Sequence, residues 1–158
     1  MNMGFVKFYI AVIVSILILS SCAHPLPECY NKSTKNVRIR WGTMYVLSGK
    51  EKGYQIDADA TLWKMTLPPM SRDYQKEKLS YVDPVRYCRL TKMVLDTILK
   101  IQVLNEPGDS IRFIEYTNVD NGAEMRAMWN PDFKTANSNG FRSLYDSLQL
   151  FLKFEKNP

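Results

Sequence analysis

One histidine and three cysteines among 158 residues leave little from which to build a nucleophilic or metal-dependent site. His24 stands next to Pro25 and two residues past Cys22. A catalytic histidine needs fixed geometry against its nucleophile, and such a segment does not supply it. Ser-His-Asp, Cys-His and histidine-rich zinc constellations therefore fall away. Seven glycines and eight prolines are too few for a collagen-like or low-complexity chain, and no glycine-rich phosphate loop occurs. The longest apolar run, Phe8 to Leu19, is twelve residues. As a helix it spans about 18 Å, short of the ~30 Å hydrocarbon core of a bilayer. No nucleic-acid recognition motif is present, so nucleic acid is not an expected partner.

What is present at the amino terminus is a leader. Lys7 is the only charge before Glu28, and residues 1–21 read as a targeting segment. Leu19-Ser20-Ser21-Cys22 then resembles the bacterial lipobox, an aliphatic residue and two small residues before a cysteine. The resemblance covers the leader alone. It implies that the Cys22 thiol is joined to diacylglycerol, that the chain is cut after Ser21, and that the new amino terminus is acylated. Two or more acyl chains anchor a protein stably, at about 0.8 kcal/mol per buried methylene. The implied location is the bacterial cell envelope, with the membrane as a partner through the lipid. Ala23 follows the anchor cysteine, where Asp favours inner-membrane retention in Gram-negative bacteria, so the outer membrane is expected there. Removing Lys7 with the leader lowers the net charge from +5 to +4. Lys32, Lys35, Arg38 and Arg40 cluster just past the anchor, where attraction to an anionic membrane would act.

Residues 22–36 read as a lipidated tether with prolines and no periodicity, and residues 37–158 as the globular domain. Val37, Ile39, Trp41, Thr43, Tyr45 and Leu47 alternate with Arg38 and Arg40, the pattern of a half-buried strand. A loop over 48–53 leads to strands at 54–56 and 62–67, ended by Pro68-Pro69. A charged connection follows. Asp83-Pro84 starts a helix running to about Val103, with one stripe through Leu90, Met93, Val94, Thr97, Ile98 and Ile101. A second stripe, through Val85, Cys88, Leu95 and Leu99, lies roughly opposite. Strands at 111–116 and 123–129 flank the turn Asp120-Asn121-Gly122. Phe141 to about Glu155 is an amphipathic helix with Ser138 or Asn139 as cap. The order βββ-α-ββ-α predicts a single α+β domain, an antiparallel five-stranded sheet with two helices packed mainly on one face.

Cys29 and Cys88 remain once Cys22 carries lipid. An oxidising envelope invites a disulfide between them, and a buried free Cys88 is the alternative. Asp57-Ala58-Asp59-Ala60-Thr61 resembles the Asp-x-Asp-x-Thr start of haloacid-dehalogenase-type phosphatases. That resemblance implies Asp57 as nucleophile, Asp59 as acid/base and Mg²⁺ as cofactor. The family also needs parallel strands alternating with helices, a downstream lysine and an acidic pair. The same five residues make a tight turn. The segment is not an EF-hand, because its twelfth position is Pro68.

Trp41, Trp63 and Trp129 all fall on strands, so a sheet face could offer aromatics to a partner. The Val85, Leu95, Leu99 stripe is a second candidate surface. The expectation is a small envelope lipoprotein without cofactor or catalytic activity. It binds another envelope protein or contributes to envelope structure, as an inhibitor or immunity-type protein would. The alternatives are the Asp57/Asp59 phosphatase and a small-ligand carrier.

Overall fold

Alternating apolar residues from Val37 onward build the central strand of the sheet, and the rest of the architecture is laid out around it. The computed structural model describes residues 26–31, 34–98, 104–106 and 108–156. Within them the strands are β1 (Val37–Tyr45), β2 (Lys50–Asp57), β3 (Thr61–Leu67), β4 (Gln75–Tyr81), β5 (Ser110–Asn118) and β6 (Ala123–Trp129). Two helices are described, α1 (Pro84–Ile98) and α2 (Asn139–Lys156). The sheet is antiparallel with order β4-β3-β2-β1-β5-β6. No described helix is long and apolar enough to cross a membrane.

The sheet has six strands instead of the expected five. The extra strand is β4, where the sequence offers Gln75-Lys76-Glu77-Lys78, all exposed. An edge strand is held by main-chain pairing on one side only, and charged side chains there keep other chains from adding to it. Its residues need no hydrophobic alternation, so periodicity does not reveal it. Pairing with β3 shifts between Leu62 and Trp63, leaving Leu79 as a bulge. β2 also begins at Lys50 and not at Tyr54, because residues 50–53 pair with β1. At the opposite edge, Leu104 and Glu106 exchange backbone hydrogen bonds with Met128 of β6.

Both helices pack on one sheet face. Ile39, Trp41, Ile56, Ile114 and Trp129 are fully buried there against Val94 of α1 and Phe141 and Leu148 of α2. Trp129 stacks on Phe141 at 6.2 Å and meets the edge of Tyr145 at 5.6 Å. α1 begins where Asp83 accepts a hydrogen bond from the Arg86 backbone N–H, an N-cap in front of Pro84. Its inward face is Tyr87, Leu90, Thr91, Val94 and Ile98. The expected continuation to Val103, with Leu99 and Ile101, lies outside the described residues, as do the leader, Cys22 and His24.

The segment expected to be a loose tether is partly built into the fold. Cys29 and Cys88 form a disulfide, with 5.6 Å between their Cα atoms. Pro27 is buried, and Tyr30 packs against the core. The bond therefore ties the start of the domain to the second turn of α1.

Candidate functional site: an apolar loop end above a buried charge ring

The sheet face away from the helices is lined by β-strand positions of opposite parity, and its centre is polar. Arg40 (β1), Glu115 (β5) and Arg126 (β6) share one cross-strand row. The Arg40 guanidinium donates to Glu115 Oε1, from Nε at 2.8 Å and again from a terminal nitrogen. Arg126 donates to Glu115 Oε2 at 3.3 Å and to Glu51 Oε1 at 2.7 Å. The Tyr74 hydroxyl donates to Glu51 Oε2 at 2.6 Å, and its ring lies 4.9 Å under the Arg40 guanidinium. The five side chains close a ring, two arginines against two carboxylates and a phenol. Glu115 and Glu51 are almost fully buried. Buried carboxylates are tolerated when paired and hydrogen-bonded, and each here meets that condition.

Two glycines make the ring geometrically accessible. Gly42 and Gly53 face each other across β1 and β2, and Phe113 lies beside Gly42 on β5. A Cβ at Gly42 would stand 2.2 Å from the Lys52 carbonyl oxygen, and one at Gly53 2.1 Å from that of Trp41. The open centre lets Arg126 cross over the Phe113 ring, 4.4 Å away, to reach Glu51 two rows farther along. Glu51 lies three strands across and four residues along from Arg126, roughly 19 Å at ordinary strand spacing. The two side chains nevertheless meet, at 2.7 Å. Burial, with the hydrogen bond to Glu51, pushes the Tyr74 phenol up to about 12. Burial works against the Arg40 charge, but Glu115 holds its pKa above the ordinary value.

Beyond this ring, three connections leave the same end of the sheet, one from its middle and one from each edge. The β1–β2 turn carries Tyr45, Val46 and Leu47, and Leu47 is 92% exposed. The β3–β4 connection carries Met70, 101% exposed and held at φ 58°. The segment after β6 carries Phe133, 67% exposed. These loops are pinned. Val46 donates its backbone N–H to Asp109, the Met70 loop is braced by Ser71–Asp73 hydrogen bonds and by Tyr74 in the ring. Arg142 of α2 donates to the carbonyls of Asn130, Pro131 and Phe133. Binding residues concentrate on loops held by a rigid scaffold, which makes these exposed apolar tips a candidate surface. The disulfide stands at the other end of the sheet, by the start of β1 and of α1.

The residues singled out from sequence are dispersed. Trp41 and Trp129 are fully buried under the helices, so they form core and not an aromatic surface. Trp63 lies on the other face, half-buried, donating its indole N–H to Asp57 at 2.8 Å. The second α1 stripe is not an exposed patch. Cys88 is bonded to Cys29, Leu95 packs against the core, Val85 is exposed, and Leu99 lies outside the described residues. Asp57 and Asp59 belong to the β2–β3 hairpin, where the phosphatase resemblance required a parallel strand followed by a helix. Asp57 accepts from Gln55 and Trp63 and pairs with Arg38 at 3.5 Å. Asp59 accepts from the Thr61 backbone at 2.9 Å, closing the turn. Among the described residues no group of three metal-ligating side chains comes together. Of the basic cluster, Arg40 is in the ring, Arg38 is paired with Asp57, Lys35 is exposed and Lys32 lies outside the described residues.

The apolar tips were missed because Tyr45 and Leu47 continue the alternation of β1, which read them as facing the core. Met70 and Phe133 carried only a weak signal: each stands one or two residues past a proline, in a segment with no strand alternation. No protein-family model matches the chain, and a search of curated proteins returns no match.

Proposed function

We propose that the chain is a small envelope lipoprotein, anchored through Cys22, whose domain is a non-catalytic binding module for another envelope protein. The observation that carries the binding role is the apolar loop end. Leu47 and Met70 stand almost fully exposed on braced loops at the sheet end opposite the Cys29–Cys88 disulfide. A lipid on Cys22 enters near the disulfide, so the loop end is the end of the sheet farther from the anchor, open to a partner. The disulfide itself suits an oxidising compartment. In a Gram-negative host, Ala23 after the anchor favours the outer membrane, and an inhibitor or immunity-type role is one form such a module takes.

Photo-crosslinking in the host tests this. A photoreactive residue in place of Leu47 or Met70 is expected to give one predominant protein adduct, shared by both positions. The same residue at Glu77 on the β4 edge, or at Asn121 in the β5–β6 turn at the opposite end of the sheet, both exposed, is expected to give none. Adducts that are absent at the tips, or equally frequent at the controls, overturn the reading. Metabolic labelling with a fatty acid, lost in Cys22→Ala, tests the anchor separately.

A further inference from the structure

Around the axis of α1, the core-facing residues Tyr87, Leu90, Thr91, Val94 and Ile98 define one side. At 100° per residue, Val85, Arg89, Lys92 and Asp96 lie opposite them, with Arg86 along one flank and Cys88 along the other. Val85 is 60% exposed, and Arg86, Arg89 and Lys92 are all exposed. The outer side is thus three cations and one apolar residue against Asp96, with no acidic residue in the first turn. The Cys88 flank is bonded to Cys29, and Leu26, where the described chain begins, is four residues from Cys22. Four residues reach at most about 14 Å. Three more reach Cys29, about 25 Å in all, and the disulfide adds 5.6 Å to Cys88, so a lipid at Cys22 leaves this helix near enough to be laid against the headgroups.

The neighbouring surface differs in sign. The sheet end by the disulfide exposes Asp59, Asp83 and Asp120, and Glu28 is exposed on the incoming segment. Among the described residues, Lys35 and the Asp57-paired Arg38 are the exposed cations by the start of β1. An anionic bilayer meeting the domain end-on would face those carboxylates, whereas one meeting it on the α1 side faces Arg86, Arg89 and Lys92.

We propose that the outer side of α1 lies on the anionic phospholipid headgroups of the membrane that holds the anchor, an inference that rests on the lipid at Cys22. Arg86, Arg89 and Lys92 meet the headgroup phosphates, and Val85 sits at the interface among them. The domain leans on this helix, so the apolar loop end is carried at a set orientation above the bilayer.

The test uses the full lipidated protein, reconstituted in phosphatidylcholine vesicles and in vesicles that also contain phosphatidylglycerol. A water-soluble acetylating reagent reads lysine accessibility by mass spectrometry. Lys92 labelling is expected to fall severalfold on the anionic vesicles and to recover in high salt, while Lys52, exposed near the far end of the sheet, stays constant. Arg89→Glu is expected to restore Lys92 labelling without changing Lys52. Equal Lys92 labelling on both vesicles, with the Cys22 peptide carrying lipid mass, overturns the proposal alone. A Cys22 peptide without lipid overturns the anchor reading and this inference with it.

Discussion

Glu115 is the residue on which the polar face turns, because it accepts hydrogen bonds from Arg40, Arg126 and Thr117 while almost fully buried. Its removal leaves two arginines short of a counter-charge. Glu115→Gln is expected to lower unfolding free energy by about 3 kcal/mol, near the lower end for a broken buried pair because both arginines keep some exposure. Urea denaturation measures it, and a change under about 1 kcal/mol would mean the ring is incidental to stability. Gly42→Ala is expected to cost about 1–3 kcal/mol or to prevent folding, since its Cβ would meet backbone and not a side chain that can move. The phenols set an alkaline limit. Burial raises Tyr74 and Tyr87 from 10.0 to about 12, so the folded state holds those protons more tightly than the unfolded chain. Their contribution is intact below pH 10 and is lost as pH rises through 12. Melting temperature should fall across that window, less steeply in Tyr74→Phe, with tyrosinate absorbance rising in step. None of the ring was legible beforehand. Arg40 read as the solvent side of a half-buried strand, and only a paired reading of Arg40 with Glu115 across β1 and β5 would have joined them.

At the level of elements, the strongly periodic segments were the readable ones. The alternation from Val37 marked β1, Asp83-Pro84 marked the start of α1, and the threefold and fourfold spacing from Phe141 marked α2. β4 was not readable, because an exposed edge strand carries charge where periodicity expects apolar residues. The candidate site failed for the converse reason. Leu47 fits the alternation of β1 but stands beyond its last paired residue, Tyr45, so pattern alone assigned it to the core. The Met70 loop offers a test at this scale. A side chain at φ 58° is strained, and asparagine tolerates that region better. Met70→Asn is expected to leave stability unchanged or raise it by up to about 1 kcal/mol, while abolishing the crosslink at Leu47. Stability gained together with binding lost would mark Met70 as kept for recognition.

For the whole molecule, the class α+β and the placement of both helices on one face followed from the order of elements, whereas function did not follow from any motif. The disulfide was one of two open readings, since spacing alone does not bring residues 59 positions apart together. Replacing both cysteines by serine is expected to lower stability by roughly 4 kcal/mol in the chain-entropy model for a loop of 59 residues, read from the shift in urea midpoint. An unchanged midpoint would show the incoming segment to be a passive passenger. The same bond also decides where mechanical load enters. β1 is flanked by β2 and β5 in the middle of the sheet, and tension on the amino-terminal segment would otherwise be transmitted to its first residue and pull it from its neighbours. With Cys29 joined to Cys88, that tension is diverted into α1 before it reaches Val37. The central strand is thereby relieved of force, and a domain pulled by its amino-terminal segment would give way first at a helix on the surface and last at the seam of its sheet.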